Sequence, residues 1–77
     1  MITPRQIRAA RALLEWTQQD LADRAILGLS TVQRFEEGKD VRVSSLAKIQ
    51  KALEAMGIEF TTRDDGVRLV PPKSRAG

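Results

Sequence analysis

Four polar residues, Ser30, Gln33, Arg34 and Glu37, recur at i, i+3, i+4 and i+7 within the stretch ILGLSTVQRFEEG, residues 26 to 38. That spacing lines one face of an α-helix and leaves Val32 and Phe35 on the other. The chemistry on offer is directional hydrogen bonding. A guanidinium such as Arg34 can meet two acceptors at once, a primary amide such as Gln33 can donate and accept together, and the Ser30 hydroxyl can do either. Taken alone, such a face is what a solvated helix carries, so the surrounding elements must decide what it is for.

Other chemistries are poorly supplied. The chain has neither Cys nor His, which removes disulfides, thiolate or imidazole metal sites, and the usual pairings of nucleophile and base. Carboxylates alone can hold a hard cation, but no Asp-rich calcium-loop spacing is present. Asp64 and Asp65, the best remaining carboxylates for an enzyme, fall in a turn, where Asp has conformational reasons to be. The expectation is a protein without catalysis, metal or cofactor.

At 77 residues the chain makes one small domain, near the size at which a single core needs help from a partner subunit. Its net charge of +3 includes Lys73 and Arg75 in the terminal PPKSRAG, and residues 1 to 57 hold nine Lys and Arg against seven Asp and Glu. Mild basicity permits a nucleic-acid partner without requiring one. No apolar run approaches the roughly 20 residues that span a bilayer, and Met1 leads into helix-forming sequence instead of a signal peptide. A cytoplasmic chain with no membrane partner is expected.

The elements that must position the polar face read as four helices. Thr3 as N-cap, Pro4 at N1 and Gln6 at N3 start the first, with Ile7, Ala10, Arg11 and Leu14 on one face. Arg11 is anomalous on an apolar face. Thr17 opens a short second helix, with Asp20 at N3 and Leu21, Ala22 and Ala25 inward. The third runs from about 29 to 37, its inner face Val32, Phe35 and Glu36, and Gly38 ends it. A fourth begins near Ser44 or Ser45, carries Leu46, Ile49, Leu53 and Met56, and stops at Gly57. Trp16, Phe35 and Phe60 are expected to pack in or beside the core instead of stacking on bases.

The period then changes. Ile58, Phe60 and Thr62 alternate with Glu59, Thr61 and Arg63, Asp65-Gly66 gives a two-residue hairpin signal, and VRLV follows. A lone hairpin is marginal in water, so it must pack on the helices or pair with a second copy. Residues 58 to 70 are thus a hairpin and 71 to 77 a tail expected to be disordered. The fold class is mostly α, four helices over 1 to 57 followed by a C-terminal β-hairpin.

The run of residues Gln18, Leu21, Ala22, Ala25, Leu27, Thr31, Val32, Phe35, Glu36 and Gly38 fits Q-x-x-L-A-x-x-A-G-[VIL]-S-x-x-T-[IV]-x-x-[FIW]-E-x-G. In this the chain resembles the helix-turn-helix of the Cro/C1-type (Xre-like) transcriptional regulators, over residues 4 to 56; Arg11 also matches, where the family often has Arg or Lys. The resemblance implies that the third helix enters the major groove. Gly28, Leu29, Ser30, Gln33 and Arg34 are then the readers of double-stranded DNA, Gln18 braces a phosphate with help from Thr31, and Lys39 and Arg42 meet phosphates on the flank. Arg11 and Glu36 are each costly to bury alone and are expected to neutralise each other.

Three positions depart from the pattern. Ile26 stands where the family has Gly in the turn, Gly28 where it has a Ser or Thr cap, and Glu15 where a small residue ends the first helix. A β-branched residue disfavours positive φ, so the turn is expected to be rebuilt around Gly28, which can still cap the third helix. The hairpin stands in place of a fifth, dimerising helix; Ile58, Phe60, Val67 and Leu69 are expected to form a two-fold interface, setting two recognition helices roughly 34 Å apart. The resulting expectation is a repressor acting as a homodimer on a palindromic operator. The alternatives are an antitoxin that binds its operator and a toxin partner, and a protein-interaction module without DNA binding.

Overall fold

The computed structural model describes residues 2 to 61 and 66 to 69. Helix α1 spans Pro4–Leu14, α2 Gln18–Ala25, α3 Leu29–Glu36 and α4 Val43–Glu54; strands β1 (Ile58–Phe60) and β2 (Val67–Leu69) follow as an antiparallel pair.

Each helix start reflects its local chemistry. At α1 the Thr3 hydroxyl accepts from the Gln6 amide nitrogen while the Gln6 side chain accepts from Thr3, a complete capping box; Thr17 and Asp20 repeat it at α2. Helix α3 starts from Gly28, in extended conformation and without a side-chain cap. The start of α4 corrects the expectation of a Ser44 or Ser45 cap. Arg42 is the N-cap, its carbonyl accepting from the Leu46 amide at 3.0 Å, and both serines lie inside the first turn. A hydroxyl cap contributes only about 1 kcal/mol, and here the helix extends backward past both candidates.

The ends of α1, α2 and α3 share one geometry. Leu27 N donates to the Ala22 carbonyl and Ile26 N to that of Asp23; Trp16 and Glu15 do the same to Arg11 and Ala12, and Lys39 and Gly38 to Arg34 and Phe35. These are three Schellman terminations, each with a left-handed residue. Gly38 has φ 84°, Glu15 59° and Ile26 58°. The turn is therefore not rebuilt around Gly28, whose φ of −71° is ordinary. Half-buried Leu27, packed against the core, holds the left-handed turn despite the branched side chain before it.

The core gathers Ile7 and Ala10 from α1, Leu21, Ala22 and Ala25 from α2, Val32 and Phe35 from α3, and Leu46, Ile49 and Leu53 from α4, with Ile2 and Ile58 closing its ends. Burial of these side chains drives the assembly. The hairpin completes it: β1 lies against α4 and β2 against α1.

Pairing joins Ile58 to Leu69, Glu59 to Arg68 and Phe60 to Val67. Thr61 N donates to the Gly66 carbonyl at 3.0 Å, so the pairing extends one residue past Phe60 and Val67. This corrects the two-residue Asp65-Gly66 turn, since Gly66 sits opposite Thr61. The reason is tertiary. Gln6, only 2 % exposed, donates through one amide nitrogen to the carbonyls of both Thr61 (2.7 Å) and Gly66 (2.9 Å), which holds that pair in register. Thr62 to Asp65, Val70 and the tail from Pro71 lie outside the described residues.

The register also decides which way the hairpin faces. Paired residues share a face, so Ile58, Phe60, Val67 and Leu69 lie together on the side toward the helices, and Glu59 and Arg68 pair at 2.6 Å on the other. Ile58 is 2 % exposed, Phe60 and Val67 are half-buried against the core, and Leu69 alone is largely open. Of the four side chains expected at a two-fold interface, Ile58 is thus taken up by the chain's own core, while Phe60, Val67 and Leu69 keep part of their surface open. Among the described residues no helix is long and apolar enough to cross a membrane.

Candidate nucleic-acid interface

Helix α3 divides cleanly by face. Val32, Phe35 and Glu36 are buried, whereas Ser30, Gln33, Arg34 and Glu37 are exposed, with Leu29 and Thr31 half-buried between them. The N-terminus of α3 opens at exposed Gly28, leaving its first amide groups directed outward, as a helix end that approaches an anion or a base edge must.

Glu36 fixes the other end of the helix. Its carboxylate accepts from Arg11 Nε at 2.6 Å and Nη2 at 2.7 Å, and also from Gln18 Nε2 at 3.1 Å. Arg11 spends its remaining nitrogen on the Trp16 carbonyl at 3.1 Å. The glutamate side chain is 4 % exposed and the arginine 18 %. Hydrogen bonding to Glu36 raises the Arg11 pKa above its ordinary value, and the carboxylate's charge adds to this, against the opposing pull of burial. Arg11 therefore stays charged, and no buried side-chain polar atom among the described residues lacks a partner.

Arg8 adds a contact that the sequence pattern did not single out. Its Nη1 donates at 2.6 Å to the backbone carbonyl of Glu36, one of the groups that a helix C-terminus leaves without an intrahelical donor. Two arginines one turn apart on α1 thus grip one residue of α3, Arg8 by the backbone and Arg11 by the side chain. Positive charge at that end also suits the helix dipole. The signal was present as an i, i+3 pair, but an exposed Arg8 carries no mark of its target until the helices cross.

Of the residues expected at phosphates, Gln18 is half-buried at the first turn of α2 with its amide engaged by Glu36. Thr31, Arg34 and Arg42 come together around an open groove of about 580 Å³, with Asp40, Val41 and Ser45 completing its walls. Arg34 reaches the Asp40 carbonyl only at 3.4 Å, so its guanidinium is barely tethered. Ser45 is an addition: expected as a helix cap, it lines this groove instead. Lys39 stands apart, exposed and ion-paired with Glu37 at 3.2 Å, beside a smaller hollow lined also by Pro4, Phe35, Gly38, Asp40, Val41 and Leu46. The arrangement thus combines an exposed polar helix face, a flanking groove with two guanidinium groups, and a buried ion pair that holds the helix from behind.

A family model of the helix-turn-helix matches residues 7–62 of the chain, from within α1 through β1. Curated proteins give no match. Members of this family are DNA-binding transcription regulators, a binding class and not an enzymatic one. The arrangement of four helices and a hairpin, with α2 and α3 as the two helices of the motif, places the chain in the Cro/C1-type (Xre-like) helix-turn-helix family.

Proposed function

We propose that the protein is a transcriptional repressor that binds a palindromic operator as a homodimer and acts by occupying it. The observation that carries this reading is the division of α3, where Ser30, Gln33 and Arg34 are open to solvent while the opposite face is locked into the core. In the groove, Arg34 bonds guanine through two nitrogens, Gln33 bonds adenine, and Leu29 covers a thymine methyl. Thr31, Arg42 and the amides at the starts of α2 and α3 hold phosphates, with Gln18 and Lys39 on the flanks.

The second copy is reached through the hairpin's edge. Its apolar face is turned inward, and among the described residues neither strand pairs with anything but the other. An open strand edge invites pairing, and an antiparallel pairing about a two-fold axis is self-complementary. The same open edge supports a second reading, an antitoxin whose hairpin also receives a toxin.

Selection from randomised duplex DNA, run in parallel with Arg34→Ala, tests the proposal. Recovery of a palindrome whose guanine preference relaxes in the variant is the expected result. An absence of enrichment moves the weight to a module that binds protein only. Light scattering of the free protein addresses the dimer separately, and a monomer at concentrations that bind DNA refutes it.

A further inference from the structure

Ile26 is a misfit in three respects at once. Its backbone is left-handed, with φ 58° and ψ 53°, a region that β-branched residues rarely enter. Its side chain is 82 % exposed, so the strain is not offset by burial in the chain's own core. The turn does not need it either, because the apolar contact that completes the termination comes from Leu27, and any glycine satisfies the Ile26 hydrogen bond to the Asp23 carbonyl.

Its location supplies a reason. Ile26 lies three Cα steps before Leu29, the first residue of α3, and three steps of about 3.8 Å span at most about 11 Å. The major groove is about 12 Å wide. With Leu29 at the base edges, that span is shorter than the groove is wide, so an exposed Ile26 on the turn between the helix that crosses the backbone and the helix that enters is within reach of the groove wall. The left-handed bend is what turns its side chain outward there.

We propose that Ile26 is a DNA-contacting residue, its branched side chain packing on the apolar rim of the groove, formed by deoxyribose carbons or a thymine methyl. This rests on the reading of α3 as the recognition helix. The strain is carried in the free and bound protein alike, while the apolar contact is gained only in the complex, at a position where glycine would offer none.

The test measures binding of mixed-sequence duplex DNA at low salt by the full chain and by Ile26→Gly, Ile26→Ala and Ile26→Leu, beside thermal melting of each. Affinity is expected to fall about five- to tenfold in Ile26→Gly, as loss of a few tens of Å² of apolar contact implies. Ile26→Ala should fall between, and Ile26→Leu should restore most of the binding, while Ile26→Gly melts higher than the parent. The slope of affinity against salt should stay unchanged, because no phosphate contact is lost. If the glycine variant loses the same factor on thymine and uracil duplexes, the contact is to deoxyribose; if the loss vanishes on uracil, it is to the methyl. Equal or tighter binding by Ile26→Gly, or a changed salt slope, overturns the proposal. A parent chain that binds no duplex at all removes the recognition-helix reading, and this proposal with it.

Discussion

Glu15 and Ile26 occupy the same place in two successive helix terminations, with φ of 59° and 58° and matching hydrogen bonds back into α1 and α2. The third termination has Gly38 at that place. Non-glycine residues in the left-handed region cost roughly 1–2 kcal/mol, and glycine returns part of that gain through the entropy of the unfolded chain. Glu15→Gly and Ile26→Gly are each expected to stabilise the protein by about 1 kcal/mol, more at the branched Ile26. Thermal melting should show a rise of about 4 °C or more for each, and an unchanged or lower midpoint would show that the strain is not there.

Arg11 and Glu36 form a paired, nearly dry contact, so removing one partner leaves the other without compensation. Glu36→Ala is expected to lose about 3 kcal/mol or more in chemical denaturation. Replacing both, as Arg11→Met with Glu36→Leu, should cost less than either single change. A double variant whose loss equals the sum of the two singles would contradict the coupling.

Gln6 joins the start of α1 to the hairpin through three contacts of one buried amide. Gln6→Ala strips the Thr61 carbonyl of its donor and the Thr3 N–H of its acceptor, and leaves the Gly66 carbonyl with Thr61 N alone, a loss of about 2 kcal/mol. Amide exchange should accelerate most at Thr61, whose N–H closes the strand pair, and least in α2. Uniform acceleration across the chain would indicate that the hairpin opens only with global unfolding.

Arg34 and Arg42 share a groove but are assigned different tasks. Arg34→Ala should relax preference at one base by about 1–3 kcal/mol. Arg42→Ala should weaken all duplexes alike and reduce the salt slope by about 1. Lys39→Ala should have a smaller effect, because Lys39 is already paired with Glu37. Identical specificity profiles for Arg34→Ala and the parent would remove Arg34 from the readers.

Much of the design is local and therefore legible in the residues. Capping boxes at Thr3 and Thr17, the stop at Gly38 and the buried apolar residues of all four helices follow from i, i+3 and i+4 relations within single elements, except that Met56, expected inward on α4, lies beyond Glu54 and is exposed. The register of Gln18 through Gly38 supplies the family, and the burial conflict of Arg11 and Glu36 points to their pairing. Tertiary structure decided the rest. Ile26 and Glu15 look like poor helix ends by propensity, yet packing of Leu27 and Trp16 in the following positions imposes the left-handed turn. Asp65-Gly66 is a strong local turn signal, but the Gln6 amide, 60 residues away from Gly66, sets a different register. The hairpin's apolar residues read equally well as core or as interface, because alternation shows only that one face avoids water. Whether its own helices or a second chain cover that face depends on the docking of β1 on α4 and β2 on α1, which no spacing within the strands encodes.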